Sequence, residues 1–148
     1  MALTKMKLIV YTDGGSRGNP GPAAIGVVIC DEQGAPLKRY SESIGEATNN
    51  EAEYQAVIFA LKKIKALYGK NNLKKLQIEI RMDSELVEKQ LNHQYKIQES
   101  NIQPLFLKIW NLMIDFGPVK FVSIPREQNK EADKLVNEAL DNKQAGLF

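Results

Sequence analysis

Four acids stand where their side chains could do chemistry: Asp13, Glu53, Asp83 and Asp133. Carboxylates come to the front by exclusion. One cysteine, Cys30, and one histidine, His93, among 148 residues cannot assemble a zinc site of Cys/His type. Nucleophilic catalysis would depend on His93 alone, and its surroundings, QLNHQYK, hold no nucleophile elbow. Hard oxygen donors without His or Cys suit Mg²⁺ or Mn²⁺, with waters and phosphate oxygens completing the coordination. Four converging acids would repel one another and raise each other's pKa values until a cation bound.

Each acid also has an ordinary reading. Asp13 ends the apolar run that contains Leu8-Ile9-Val10, and the following GGSRGNPGP reads as an elaborate hairpin loop or as a site built on one. In TNNEAEYQA, Thr48 and Glu51 form a capping box, which gives Glu51 a structural task. At about 100° per residue, Glu53 falls some 40° from Val57, inside the stripe of Val57, Ala60, Leu61 and Ile64, while Glu51 falls on the wet side. A carboxylate in such a stripe either pokes past the core edge into water or is compensated. Asp83 sits where a strand stops and a helix begins, a place where Asp83 or Ser84 would serve as a cap. Asp133 lies about 60° from Val136 in the first turn of the last helix, where the helix dipole alone favours an acid. Asn129 reads as that helix's cap.

The elements that must position these acids follow from periodicity. Strands are expected at 7–13, 23–31, 37–45, 75–82 and 118–124, and helices at 49–68, 84–92, 102–115 and 129–142. The first three strands make an antiparallel meander, and the later alternation calls for right-handed crossovers onto a mixed sheet. The fold class is α/β (α+β), a five-stranded mixed sheet flanked by helices. Two acids then end neighbouring buried strands, the edge on which open sheets collect their sites.

A single domain over residues 1–148 is expected, with 141–148 as a C-terminal tail. Apolar residues make up 43% and charged residues 26% of the chain, ordinary for a soluble globular protein. No apolar stretch approaches the roughly 18–20 residues of a membrane span, and MALTKMK has no signal-peptide core. The lone cysteine suits a reducing cytoplasm, and a monomer is expected. Net charge is only +2, yet lysines crowd into KKIKALYGKNNLKK at 62–75; they read as a solvated face or as a surface for a polyanion.

TDGGSRGNPGPAA, TNNEAEYQA, MDSELV and EADKLVNEA, in this order and register, resemble type 1 ribonuclease H over essentially the whole chain. The resemblance implies endonucleolytic cleavage of the RNA strand of an RNA/DNA hybrid, leaving 5′-phosphate and 3′-hydroxyl ends. It implies a tetrad in which Asp13 lies between two Mg²⁺ ions, with Glu53 and Asp83 on one and Asp133 completing the other. Two ions about 3.5–4 Å apart can hold a scissile phosphate, activate water on one side and stabilise the leaving oxygen on the other. On the substrate side, the loop glycines, Gly14 among them, let backbone approach a minor groove. By the same resemblance, Asn19, with Asn49 and Asn50 at the helix start, would hydrogen-bond 2′-hydroxyls and base edges, and Thr48 would grip a phosphate of the DNA strand.

The chain departs from the family pattern before its last helix. Where many members carry a histidine, this loop reads IPREQNKEAD with Arg126, which can steady a phosphate but carries protons poorly. Segment 90–104 is too short for the basic handle that some members insert, and no separate hybrid-binding domain is expected before residue 7. Two alternatives remain at this point: another nuclease on the same fold, such as a junction resolvase or exonuclease, and a non-catalytic nucleic-acid-binding domain. The repelling acids argue against the last.

Overall fold

The computed structural model describes residues 6–145. The expectations for the first five residues and for 146–148 of the C-terminal tail lie outside that range. Strand β1 (Met6–Ser16) is central, because a run such as Leu8-Ile9-Val10, buried throughout, needs cover on both faces. It pairs antiparallel with β2 (Gly21–Cys30), which pairs antiparallel with β3 (Pro36–Ala47). On its other side β1 pairs parallel with β4 (Leu76–Met82), and β4 pairs parallel with β5 (Val119–Ser123). The sheet order is β3-β2-β1-β4-β5, the mixed five-stranded sheet that the periodicity predicts.

Helix α1 (Asn49–Tyr68) lies on one face of the sheet and buries Val57, Ala60, Leu61 and Ile64 against Leu8, Val10, Ile25 and Ile80. It starts in the expected capping box: Thr48 Oγ1 accepts from Glu51 N–H, and Glu51 Oε1 accepts from Thr48 N–H at 2.8 Å. Thr48→Ala is therefore expected to lower stability by about 1 kcal/mol, measured by urea unfolding. Helix α2 (Glu85–Leu91) follows β4, and α3 (Gln103–Met113) packs beside α1. Helix α4 (Lys130–Ala145) covers the opposite face, setting Leu135 on Ile9 and Val28, and Val136 near Ala24.

Two boundaries lie three residues beyond the sequence reading. β1 does not stop at Asp13: Gly14, Gly15 and Ser16 stay in the ladder, opposite Ile25, Ala24 and Ala23. The glycines, taken as loop formers, are strand residues whose missing side chains make room for helices. The turn itself is only Arg17–Pro20. At the other end, residues 141–145 are helical rather than tail, and Asp141 pairs with Arg17 at 2.6 Å.

Candidate active site

Space around one glycine determines where two of the acids meet. A Cβ on Gly14 would fall 2.5 Å from Glu53 N and closer still to the Ala52 carbonyl. Without it, the first turn of α1 rests on β1 beside Asp13. This gives Gly14 a packing role within the protein, where the sequence suggested a backbone approach to a minor groove. β4 runs parallel to β1, so both strands lead toward the same edge, and Asp83 is the first residue beyond β4. Ser84, not Asp83, caps α2, its Oγ accepting from Val87 N–H at 3.2 Å, which leaves the Asp83 carboxylate for other partners. One oxygen each from Asp13, Glu53 and Asp83 lie within 4.8 Å of one another. Asp133, in the first turn of α4, lines the same cleft of about 400 Å³ but stands outside that tight group.

Burial raises the Asp13 carboxyl from 3.8 to about 7, reinforced by the charge of Asp83; a hydrogen bond with Glu53 offsets part of the rise. Glu53 is driven well above the usual carboxylate range, first by burial and then by the charge of Asp13. Besides that Glu53 contact, the donors described at Asp13 and Asp83 are neutral amides: Gly14 N–H to Asp13 Oδ1 at 3.0 Å and Asn129 Nδ2 to Asp83 Oδ2 at 2.9 Å. Three crowded carboxylates with neutral donors make a hard-oxygen set that fits a divalent cation.

Among the substrate-side candidates, Gly14, Asn49 and Arg126 line the cleft, whereas Asn19, Thr48 and Asn50 do not. Asn19 instead ties the β1–β2 turn to the helix, its Oδ1 accepting from Asn49 N–H at 3.0 Å. Asn49 Oδ1 in turn accepts from Ser16 N–H at 2.9 Å, leaving Asn49 Nδ2 as a donor at the cleft. Arg17 and Asn137 also line it, though neither is among the site residues expected from the sequence. The lysine-rich stretch is largely engaged within the protein: Lys63 lies over the rings of Tyr40 and Phe59, Lys65 and Lys70 pair with Asp115, and Lys74 donates to two backbone carbonyls. His93 does not line the cleft; its ring packs edge-on against Phe106, with centroids 5.9 Å apart.

The comparisons agree with this geometry. A family model described as reverse transcriptase-like matches residues 11–139. Ribonuclease HI of Halobacterium salinarum is 41% identical over 132 residues, 89% of this chain and 63% of that protein. The structure of LC11-RNase H1, isolated from compost by a metagenomic approach, is similar with a TM-score of 0.87 at 50% identity, covering 93% of this chain and 98% of that one. This chain belongs to the type 1 ribonuclease H family. LC11-RNase H1 is also known in complex with an RNA/DNA hybrid, and that structure has a TM-score of 0.88 at 48% identity over 93% of this chain and 99% of its own. The chain spans less than two thirds of the halobacterial protein's length. The four motifs that carried the resemblance to ribonuclease H, and the sheet expected with them, are borne out. Arg126, in the loop before α4, lies at the cleft.

Proposed function

We propose that this chain is an endonuclease that hydrolyses the RNA strand of RNA/DNA hybrids, leaving 5′-phosphate and 3′-hydroxyl ends. The observation that carries this reading is the meeting of Asp13, Glu53 and Asp83 oxygens within 4.8 Å at one end of a polar cleft. A binding module gains nothing from acids crowded against a phosphate backbone; a metal-dependent hydrolase needs them. Asp13, Glu53, Asp83 and Asp133 are the residues that would hold Mg²⁺, or Mn²⁺ in its place. When bound, such ions polarise the scissile phosphate and lower the pKa of a coordinated water.

The chain's own groups hold the substrate in register. Arg126 sets a permanent positive charge at the cleft, matched to a phosphate. Asn49 Nδ2 is a donor for a 2′-hydroxyl or a base-edge acceptor, the kind of contact that separates RNA from DNA. The Gly14–Ser16 segment, held in the β1–β2 ladder and tied to α1 through Asn49, lines the cleft.

RNA/DNA, RNA/RNA and DNA/DNA duplexes of one sequence, each incubated with Mg²⁺, Mn²⁺ or chelator, test this reading. Cleavage of the hybrid's RNA strand alone, lost with chelator, is the expected result. Cutting of all-DNA duplexes with the hybrid left intact would assign the same site to another nuclease class.

A further inference from the structure

We infer that Asn129 is a positioning residue for the candidate metal site: it gives up capping α4 and instead fixes the Asp83 carboxylate against β1 at Thr12. The inference rests on reading the acid cluster as a divalent-cation site. Asn129 immediately precedes α4 and is only 1% exposed. Its backbone carbonyl accepts from Asp133 N–H at 3.1 Å, so it occupies the position from which an asparagine ordinarily caps a helix. A capping asparagine turns Oδ1 toward the first free N–H groups of the helix. Here Oδ1 is buried and has no partner among the described residues. The expected cap is thus not formed.

The amide is turned by its nitrogen. Nδ2 donates to Thr12 O at 2.9 Å and to Asp83 Oδ2 at 2.9 Å. Thr12 is the residue before Asp13, so one side chain links the backbone beside Asp13, the carboxylate of Asp83 and the helix that bears Asp133. Both Nδ2 hydrogens are committed, and a buried amide that accepts nothing through Oδ1 sits in this orientation because of what its nitrogen holds. A neutral donor also suits the task. It stops the Asp83 carboxylate from turning without cancelling its charge, so one oxygen is tethered and the full negative charge is left for a cation. Lysine or arginine in its place would compete with the metal. Hydrogen-bonded partners that orient a metal-binding carboxylate commonly matter 10–100-fold in metal affinity or activity.

Asn129→Ser and Asn129→Asp separate this role from a merely structural one. Serine and aspartate both cap helices well, but serine is too short to span Thr12 and Asp83, and aspartate offers no donor. For each protein the thermal midpoint is followed through Mg²⁺ and Mn²⁺ titrations without nucleic acid, hybrid affinity is measured in chelator, and cleavage is measured against metal concentration. The expected result is a 10–100-fold rise in the metal concentration giving half of the midpoint shift. Cleavage should fall in parallel and recover at high metal in Asn129→Ser, with hybrid affinity in chelator unchanged. Native metal dependence in either folded variant overturns the inference, as does an activity loss accounted for by a lower midpoint in chelator. If the native protein itself shows no metal-dependent shift, the metal-site reading falls as well; if it does and the variants match it, only the role of Asn129 falls.

Discussion

Asp13→Asn is expected to abolish hybrid cleavage and, in the same protein, to raise the thermal midpoint of the metal-free chain. Asp13 is 7% exposed and sits among carboxylates, so its charge is unfavourable on two counts, burial and the neighbouring Asp83. Asparagine keeps the shape and removes that charge. The loss of cleavage should be roughly 10³-fold or more, as for other groups that act as part of one catalytic unit. A variant that lost activity through misfolding would lose stability too. Opposite signs in the two measurements therefore mark a residue whose cost to the fold is its service to the site.

The pH dependence follows from the same displacement. Asp13 titrates near 3.8 in an unfolded chain and about 7 in the folded protein, so between these values the folded state binds more protons. Stability of the metal-free protein accordingly falls as pH rises through that window and levels off above it. At about 1.4 kcal/mol per pH unit, the contribution of Asp13 reaches at most about 4 kcal/mol, shared in practice with Glu53. Denaturant unfolding in chelator from pH 4 to 8 should show the decline in the native protein and a shallower one in Asp13→Asn. Added Mg²⁺ should flatten it in the native protein alone. A native stability that rises with pH across this range would contradict the crowding of the site.

Much of this was legible in the sequence because periodicity and punctuation agreed. Helix α1 begins at its expected capping box and spans the expected residues 49–68, and it carries Glu53 to the inner edge of its apolar stripe as the helical angle requires. Parallel pairing of β1 and β4 places Asp13 and Asp83 near one edge once the order of elements is known. What the sequence left unread were contacts that depend on a distant partner. Asn129 has the local signature of a cap, but Thr12 and Asp83, 117 and 46 residues away in the chain, turn its amide the other way. Asn19 and Asn49, expected on the substrate side, also use Oδ1 within the protein: Asn19 accepts from Asn49 N–H and Asn49 accepts from Ser16 N–H. Local propensity cannot report such competition, because the deciding group is brought in by the fold.

Gly14→Ala, the other large effect, should destabilise the protein by roughly 3 kcal/mol or more. The added methyl would meet backbone, the Ala52 carbonyl and Glu53 N, which no rotamer change can move aside. Ordinarily glycine-to-alanine stabilises by up to about 1 kcal/mol through the unfolded chain, so the clash must exceed that gain. Gly15→Ala is the matched control: its methyl would meet only the Val136 side chain, at 3.4 Å, and stability should change by less than about 1 kcal/mol. Relief of the Gly14 clash requires α1 to lift from β1, and Glu53 moves with it. Whatever fraction of Gly14→Ala folds should therefore show a weaker metal-dependent rise in thermal midpoint, while Gly15→Ala keeps it. The opposite pattern, both variants stable and both impaired only in hybrid binding, would restore the reading of these glycines as a surface for close nucleic-acid approach. The pair thus tests whether the glycines serve the joint between strand and helix, on which the meeting of Asp13 and Glu53 depends.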